Sequence, residues 1–254
     1  MATRKTSVLP EVNFSDWGDI RYLHLGTEWV QGSMKLDAPF EIELEYVQRM
    51  MAWLLFVDGK GVANRHAMQL GLGAATLTKF CRKALRMRTT AVELNQTVID
   101  ACRLWFHLPA DTARLKVLAM NAADFAADPQ RRDSIDVLCV DLYDHAAASP
   151  VLDSEDFYRD CHALLAEGGV LSVNLFGRDA SFERSAQRIA DVFGAAQIAS
   201  LRPTREGNTV VVALKVTPWP DREALAARAD NIEARFQLPA RKWLRMIRPW
   251  VAKQ

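Results

Sequence analysis

The middle of the chain alternates short apolar runs with stretches in which apolar residues recur every three or four positions. Ala67–Gly71 (AMQLG), Thr90–Leu94 (TAVEL), Leu115–Met120 (LKVLAM) and Val137–Val140 are too short for helices and read as strands. Between them, AATLTKFCRKAL puts Leu77, Phe80, Cys81 and Leu85 on one face, and QTVIDACRLWFHL does the same with Val98, Ile99, Cys102, Trp105 and Phe106. A helix is predicted over about 154–166, with Asp153 as N-cap and acids in its first turn. Gly168-Gly169 then turns the chain into another buried strand, VLSVNLF. Runs that read as buried on both faces and are separated by helices predict an α/β fold with a doubly wound, mostly parallel sheet covered on both faces.

The alternation ends after a helix near 182–193. AAQIASL and TVVVALKV lie close together, with Pro203 and Glu206-Gly207-Asn208 between them, and predict an antiparallel pair closing one edge of the sheet. At the other end, residues 20–37 read as two short strands around Gly26 and Thr27, followed by a helix at about 40–56. Asp58-Gly59-Lys60-Gly61 marks the boundary of this appendage. The expected organisation is an N-terminal hairpin and helix over 1–58, a main domain over 59–217 and a helical tail over 218–254. From Pro239 onward the tail carries Arg241, Lys242, Arg245, Arg248 and Lys253 without an acid. That pattern fits either a docking helix with a solvated face or a surface for an acidic partner or a membrane.

Composition narrows the function classes. Lys and Arg total 32 against 31 Asp and Glu, which argues against a protein built mainly to bind nucleic acid. The longest apolar run, Met50–Val57, is far below the roughly 20 residues of a membrane span, and MATRKTS leads into no apolar signal segment. Cys81, Cys102, Cys139 and Cys161 are widely spaced and fit buried free thiols better than a disulfide framework or a zinc site. A cytoplasmic protein without a metal is expected.

Candidate chemistry gathers where strands end. Gly71-Leu72-Gly73 sits at a strand-to-helix turn, where glycines let backbone approach a ligand and a helix start offers free N–H groups. Thr76 replaces the third glycine of the dinucleotide fingerprint, which shifts the expectation towards a ligand without phosphates. Glu93 ends the next strand and can accept both hydroxyls of a ribose, or simply be a surface acid. Asn121, past the third strand, offers an amide to an adenine edge or serves its turn. Asp141 and Asp144 follow the fourth strand and can hold a cationic amine and accept its proton; the alternative is a turn-capping pair.

This order of pieces resembles the spermidine synthase family of aminopropyltransferases, from about Val30 to Val216. The resemblance covers Val30-Gln31, the acidic stretch Glu43-Leu44-Glu45-Tyr46, the glycine turn, Glu93, Asn121 at an adenine-side Asp, and a D-x-x-D at Asp141 and Asp144. Ser154-Glu155-Asp156-Phe157-Tyr158 and the helix–Gly-Gly–strand that follows complete it. It implies a class I methyltransferase-like fold, and decarboxylated S-adenosylmethionine bound along Gly71, Gly73, Glu93 and Asn121. It further implies Asp141 as base, an amine substrate held by Asp144, Tyr46 and Gln31, no metal, and a dimer or higher homo-oligomer. Three positions depart from the family pattern. Ala74 stands where an Asp contacts the aminopropyl amine, Val47 follows the tyrosine, and Arg205-Glu206 interrupt a tyrosine-bearing loop.

Aminopropyl transfer from the decarboxylated donor, with release of methylthioadenosine, is the leading expectation. An S-adenosylmethionine-dependent methyltransferase is the second, with Arg205 as a partner for the methionine carboxylate, and a non-catalytic nucleoside-binding protein is the third. The acids between Asp141 and Asp160 are expected to surround the amine.

Overall fold

The computed structural model describes residues 9–142, 150–176 and 180–251. Three antiparallel strands come first: β1 (Val12–Trp17), β2 (Ile20–Leu25) and β3 (Val30–Lys35). The hairpin of β2 and β3 was legible in the sequence. β1 was not, because five of its six residues are exposed and no apolar alternation marks it. Its register runs from Val12 opposite Leu25 to Trp17 opposite Ile20.

The helix expected at 40–56 is shorter. α1 covers Glu45–Met50, with Leu44 still extended before it, and a 3-10 turn follows at Met51–Leu55. Every residue from Met50 to Val57 is buried. A segment enclosed on all sides has no polar face to set a helical period, so pattern alone overextends it.

The main sheet then forms from β4 (His66–Leu70), α2 (Thr76–Lys83), β5 (Arg88–Glu93), α3 (Gln96–Trp105), β6 (Leu115–Ala119), α4 (Ala122–Ala126) and β7 (Ile135–Val140). It continues with α5 (Glu155–Leu164), β8 (Leu165–Phe176), α6 (Ala180–Phe193), β9 (Ile198–Ser200) and β10 (Asn208–Leu214). The chain finishes with α7 (Arg222–Phe236), α8 (Ala240–Met246) and the two-residue β11 (Arg248–Pro249). Ser154, not Asp153, caps α5, its Oγ accepting from the Phe157 amide; Pro150–Asp153 are taken up in a 3-10 turn that leaves Ser154 extended at the helix entrance.

Strand order is β11-β9-β10-β8-β7-β4-β5-β6. β6, β5, β4, β7 and β8 are parallel, while β10 runs antiparallel to both β8 and β9. The expected antiparallel pair is present, but the edge itself is β11, from the basic tail. Pro249 fits there because an edge strand has no outer ladder bond to lose.

Period-two alternation sends Val137 and Cys139 to one face with Trp53, Phe80 and Trp243, and Leu138 and Val140 to the other with Phe157, Tyr158 and Ile189. The tail helices therefore share the core of the first face. Lys242 pairs with Glu45 and Arg241 with Asp230, so two of the tail's cations face the protein's own acids. All four cysteines are buried and free. Among the described residues no helix is long and apolar enough to cross a membrane.

Candidate active site

Sheet order reverses between β4 and β7, where successive connections leave towards opposite faces and open a crevice at the strand C-termini. A cleft of about 1300 Å³ lies there, roofed by the β2–β3 hairpin and the segment before α1. Gln31, Tyr46, Gly71, Gly73, Glu93, Asn121 and Asp141 all line it. Asp144 lies outside the described residues.

The glycine turn is fixed from several sides. Gln69, buried beneath it, accepts through Oε1 from the amide and hydroxyl of Thr78, capping α2 in place of Ala75, which has no side chain to do so. Gly71 adopts φ +85°, and a Cβ there would stand 2.0 Å from the Asp141 carbonyl oxygen. A Cβ on Gly73 would stand 2.9 Å from the Gln31 carbonyl oxygen. Both glycines thus let chain segments approach each other, joining the β4 turn to the β7 turn and to β3.

Ala74 is buried, and a Cβ on Gly32 of β3 would come within 2.6 Å of its amide nitrogen. The position where the family resemblance implies a carboxylate is therefore occupied by packing and does not face the cleft.

Glu93 ends β5 with both oxygens engaged. Oε2 accepts from the Leu72 amide at 2.9 Å and Oε1 from the Asn95 amide at 2.9 Å. Burial pushes its carboxyl above the usual range, against these backbone donors. The Leu94 amide is a third backbone donor, and with about four lone-pair sites on a carboxylate this leaves one for a ligand's hydroxyl. Asn121 serves its turn: Oδ1 accepts from the Ala123 amide at 2.8 Å and caps α4, which leaves its Nδ2 as the group to offer a ligand.

Asp141 stands one residue beyond β7. Burial raises its carboxyl to about 6, opposed by hydrogen bonds from Asn174 and Tyr46. Asn174 Nδ2 donates to Asp141 Oδ1 at 2.9 Å, and Asn208 Nδ2 donates to Asn174 Oδ1 at 3.2 Å. Sequence reasoning passed over both asparagines. Their signal was a lone amide in each of two apolar strands, and the pairing of Val140 with Val173 sets the next residues, Asp141 and Asn174, side by side.

Six carboxylates line the cleft, Glu28, Glu43, Glu45, Glu93, Asp141 and Glu206, and no Lys, Arg or His does among the described residues. Half of these acids, Glu28, Glu43 and Glu45, come from the N-terminal segment. Glu155, Asp156 and Asp160, expected around the amine, are not among the lining residues; Glu155 and Asp156 pair instead with Arg159. Arg205 is not in the lining either. Glu45 is held below the usual carboxylate range by Lys242 and Arg49. No group of three or more His, Cys, Asp or Glu side chains is placed to hold a metal among the described residues.

A doubly wound sheet with an acid-lined cleft at its switch point, and a buried carboxylate at the end of its second parallel strand, is the architecture of the class I methyltransferase-like fold. Residues 71–217 match the spermine/spermidine synthase domain, and the chain belongs to that family. It is 34% identical over 235 residues to the polyamine aminopropyltransferase of Chromobacterium violaceum, covering 91% of this chain and 86% of that one. It is 33% identical over 240 residues to the polyamine aminopropyltransferase of Neisseria meningitidis serogroup B, covering 94% and 89%. Among solved structures, a probable spermidine synthase from Corynebacterium glutamicum superposes with TM-score 0.74 at 20% identity, covering 87% of this chain and 83% of that one. Human methyltransferase-like protein 13 in complex with SAH gives 0.66 at 20%, covering 82% and 96%; these two likenesses bear on the fold alone.

Proposed function

We propose that the protein transfers an aminopropyl group from decarboxylated S-adenosylmethionine to an amine, releasing methylthioadenosine. The observation that carries this reading is the charge of the cleft: six carboxylates and no cationic side chain among the described lining residues. A sulfonium donor ending in an ammonium, and an amine acceptor, both suit that field. The carboxylate of intact S-adenosylmethionine does not, because it would meet like charges without a partner. This disfavours the methyltransferase alternative.

The donor's adenosine lies along Gly71-Leu72-Gly73, with a ribose hydroxyl on Glu93 and its adenine edge near the Asn121 amide. The acceptor enters beside Tyr46 and Gln31, and the family resemblance assigns Asp144 to the same amine. Asp141, as carboxylate, takes a proton from the acceptor's ammonium. The freed lone pair attacks the aminopropyl carbon bonded to sulfur, and the C–S bond breaks with its electrons going to sulfur. The products are a neutral thioether and a substituted ammonium. A carboxyl raised to about 6 is a better base for an ammonium than an ordinary aspartate. Alignment in the cleft contributes the rest.

Four buried free thiols support a reducing compartment such as the cytoplasm. The exposed aromatic pair of Phe14 and Trp105, ring centroids 5.4 Å apart, supports a homodimer, which light scattering would test. For the activity, calorimetry with decarboxylated S-adenosylmethionine, S-adenosylmethionine and methylthioadenosine is followed by mass detection of product with putrescine. Preference for the carboxylated donor, or donor binding without transfer, sinks the reading.

A further inference from the structure

Of the carboxylates in the cleft, five are accounted for or open to water. Glu93 holds three backbone amides, Asp141 is bound by Asn174 and Tyr46, and Glu45 is neutralised by Arg49 and Lys242. Glu28 and Glu206 are exposed, where solvent screens them. Glu43 is different. It is half-buried and lines the cleft, and no Lys, Arg or His forms an ion pair with it among the described residues. Its Oε2 accepts from Ser33 Oγ, a neutral donor. The Lys35 ammonium senses its charge but forms its ion pair with Glu41, and a partly enclosed carboxylate left without an ion pair loses solvation that a neutral hydrogen bond does not fully replace.

The position of Glu43 is fixed relative to the glycine turn. Ser33 is buried in β3, its carbonyl oxygen accepts from Thr76 Oγ1 at 3.0 Å, and its neighbour Gly32 packs directly on Ala74. Ser33 thus ties Glu43 to the start of α2, beside the glycine turn. Glu43 also faces Tyr22, whose phenol is pushed up first by burial and then by this carboxylate.

We propose that Glu43 binds the terminal ammonium of the aminopropyl donor and sets the preference for the decarboxylated over the carboxylated form. The proposal rests on the aminopropyl-transfer reading above and adds the residue that recognises the donor's chain. The same carboxylate repels a methionine carboxylate, so one side chain both attracts the correct donor and rejects the abundant one.

The test compares wild type with Glu43→Gln and, as a milder perturbation, Ser33→Ala, by calorimetry with three probes. Glu43→Gln is expected to weaken decarboxylated S-adenosylmethionine about 10- to 100-fold, the range for losing one charge-assisted hydrogen bond. Methylthioadenosine, which has no ammonium, should stay within about twofold, and S-adenosylmethionine should bind no worse. Ser33→Ala should move the donor the same way by less. Retained methylthioadenosine binding also shows that the cleft has folded. Equal weakening of methylthioadenosine would make Glu43 structural and overturn the proposal. So would an unchanged donor affinity with a raised KM for the acceptor amine. Wild type that does not prefer the decarboxylated donor would instead sink the parent reading, and it is measured first.

Discussion

Asn174 donates a hydrogen bond to Asp141 at 2.9 Å across neighbouring parallel strands, and its own oxygen is held by Asn208 at 3.2 Å. The chain of amides points an N–H at the carboxylate that we assign as base. It stabilises the ionised form while burial opposes it, and the balance leaves the carboxyl near 6. Asn174→Ala removes the stabilising donor and raises that value further. The rising acid limb of kcat/KM should therefore move to higher pH, read from a rate profile between pH 5 and 9.

The same burial has a cost in stability. Asp141 titrates near 6 in the folded chain against 3.8 ordinarily. Between those values the folded state holds a proton that the unfolded state has lost, so stability falls as pH rises through the window. Asp141→Asn should abolish transfer yet raise unfolding free energy at pH 8 by about 1–3 kcal/mol, the gain shrinking towards pH 4. Methylthioadenosine affinity should stay within a few-fold. Urea denaturation at the two pH values and calorimetry check both parts.

Gly71 and Gly73 should differ in tolerance. With φ +85° and a Cβ clash against the Asp141 carbonyl oxygen, Gly71→Ala is expected to cost more than about 3 kcal/mol. Gly73 has φ +50°, where an L-residue is strained but accommodated, and its clash with the Gln31 carbonyl is milder. Gly73→Ala should cost about 1–2 kcal/mol. Thermal unfolding of the two variants ranks them.

Glu93→Gln replaces one carboxylate oxygen with an N–H donor facing a backbone amide of Leu72 or Asn95. One buried amide loses its acceptor, at about 1–3 kcal/mol of stability. Methylthioadenosine affinity should fall as well, by about tenfold or more, because the ribose loses a charged acceptor. Loss of stability without loss of affinity would confine Glu93 to the turn.

Lys79 is buried in α2, and its Nζ donates to the Phe106 carbonyl at the end of α3 at 2.7 Å. Burial lowers it from 10.5 to about 8. Between those values the unfolded chain holds a proton that the folded chain lacks, so this group makes stability rise with pH across the window. In Lys79→Met that contribution should vanish, read as the difference from wild type in urea midpoints at pH 7.5 and 10.

By itself the sequence determined the parallel α/β core and where its ligand groups fall. β4, β7 and most of β8 are buried on both faces while β5 and β6 keep exposed positions, and residues just past such runs must lie along one edge of the sheet. Gly71, Glu93, Asn121 and Asp141 were legible for that reason. The tertiary structure decided what depends on neighbours from distant segments. The exposed β1 and the enclosed turn at Met51–Leu55 carry no period, so only packing defines them. The role of Gly71 as a contact for Asp141, the asparagines behind that carboxylate, and the delivery of Glu43 through Ser33 arise from pairings across strands and sheets. Local pattern records which face a residue occupies; it does not record what the chain brings against that face.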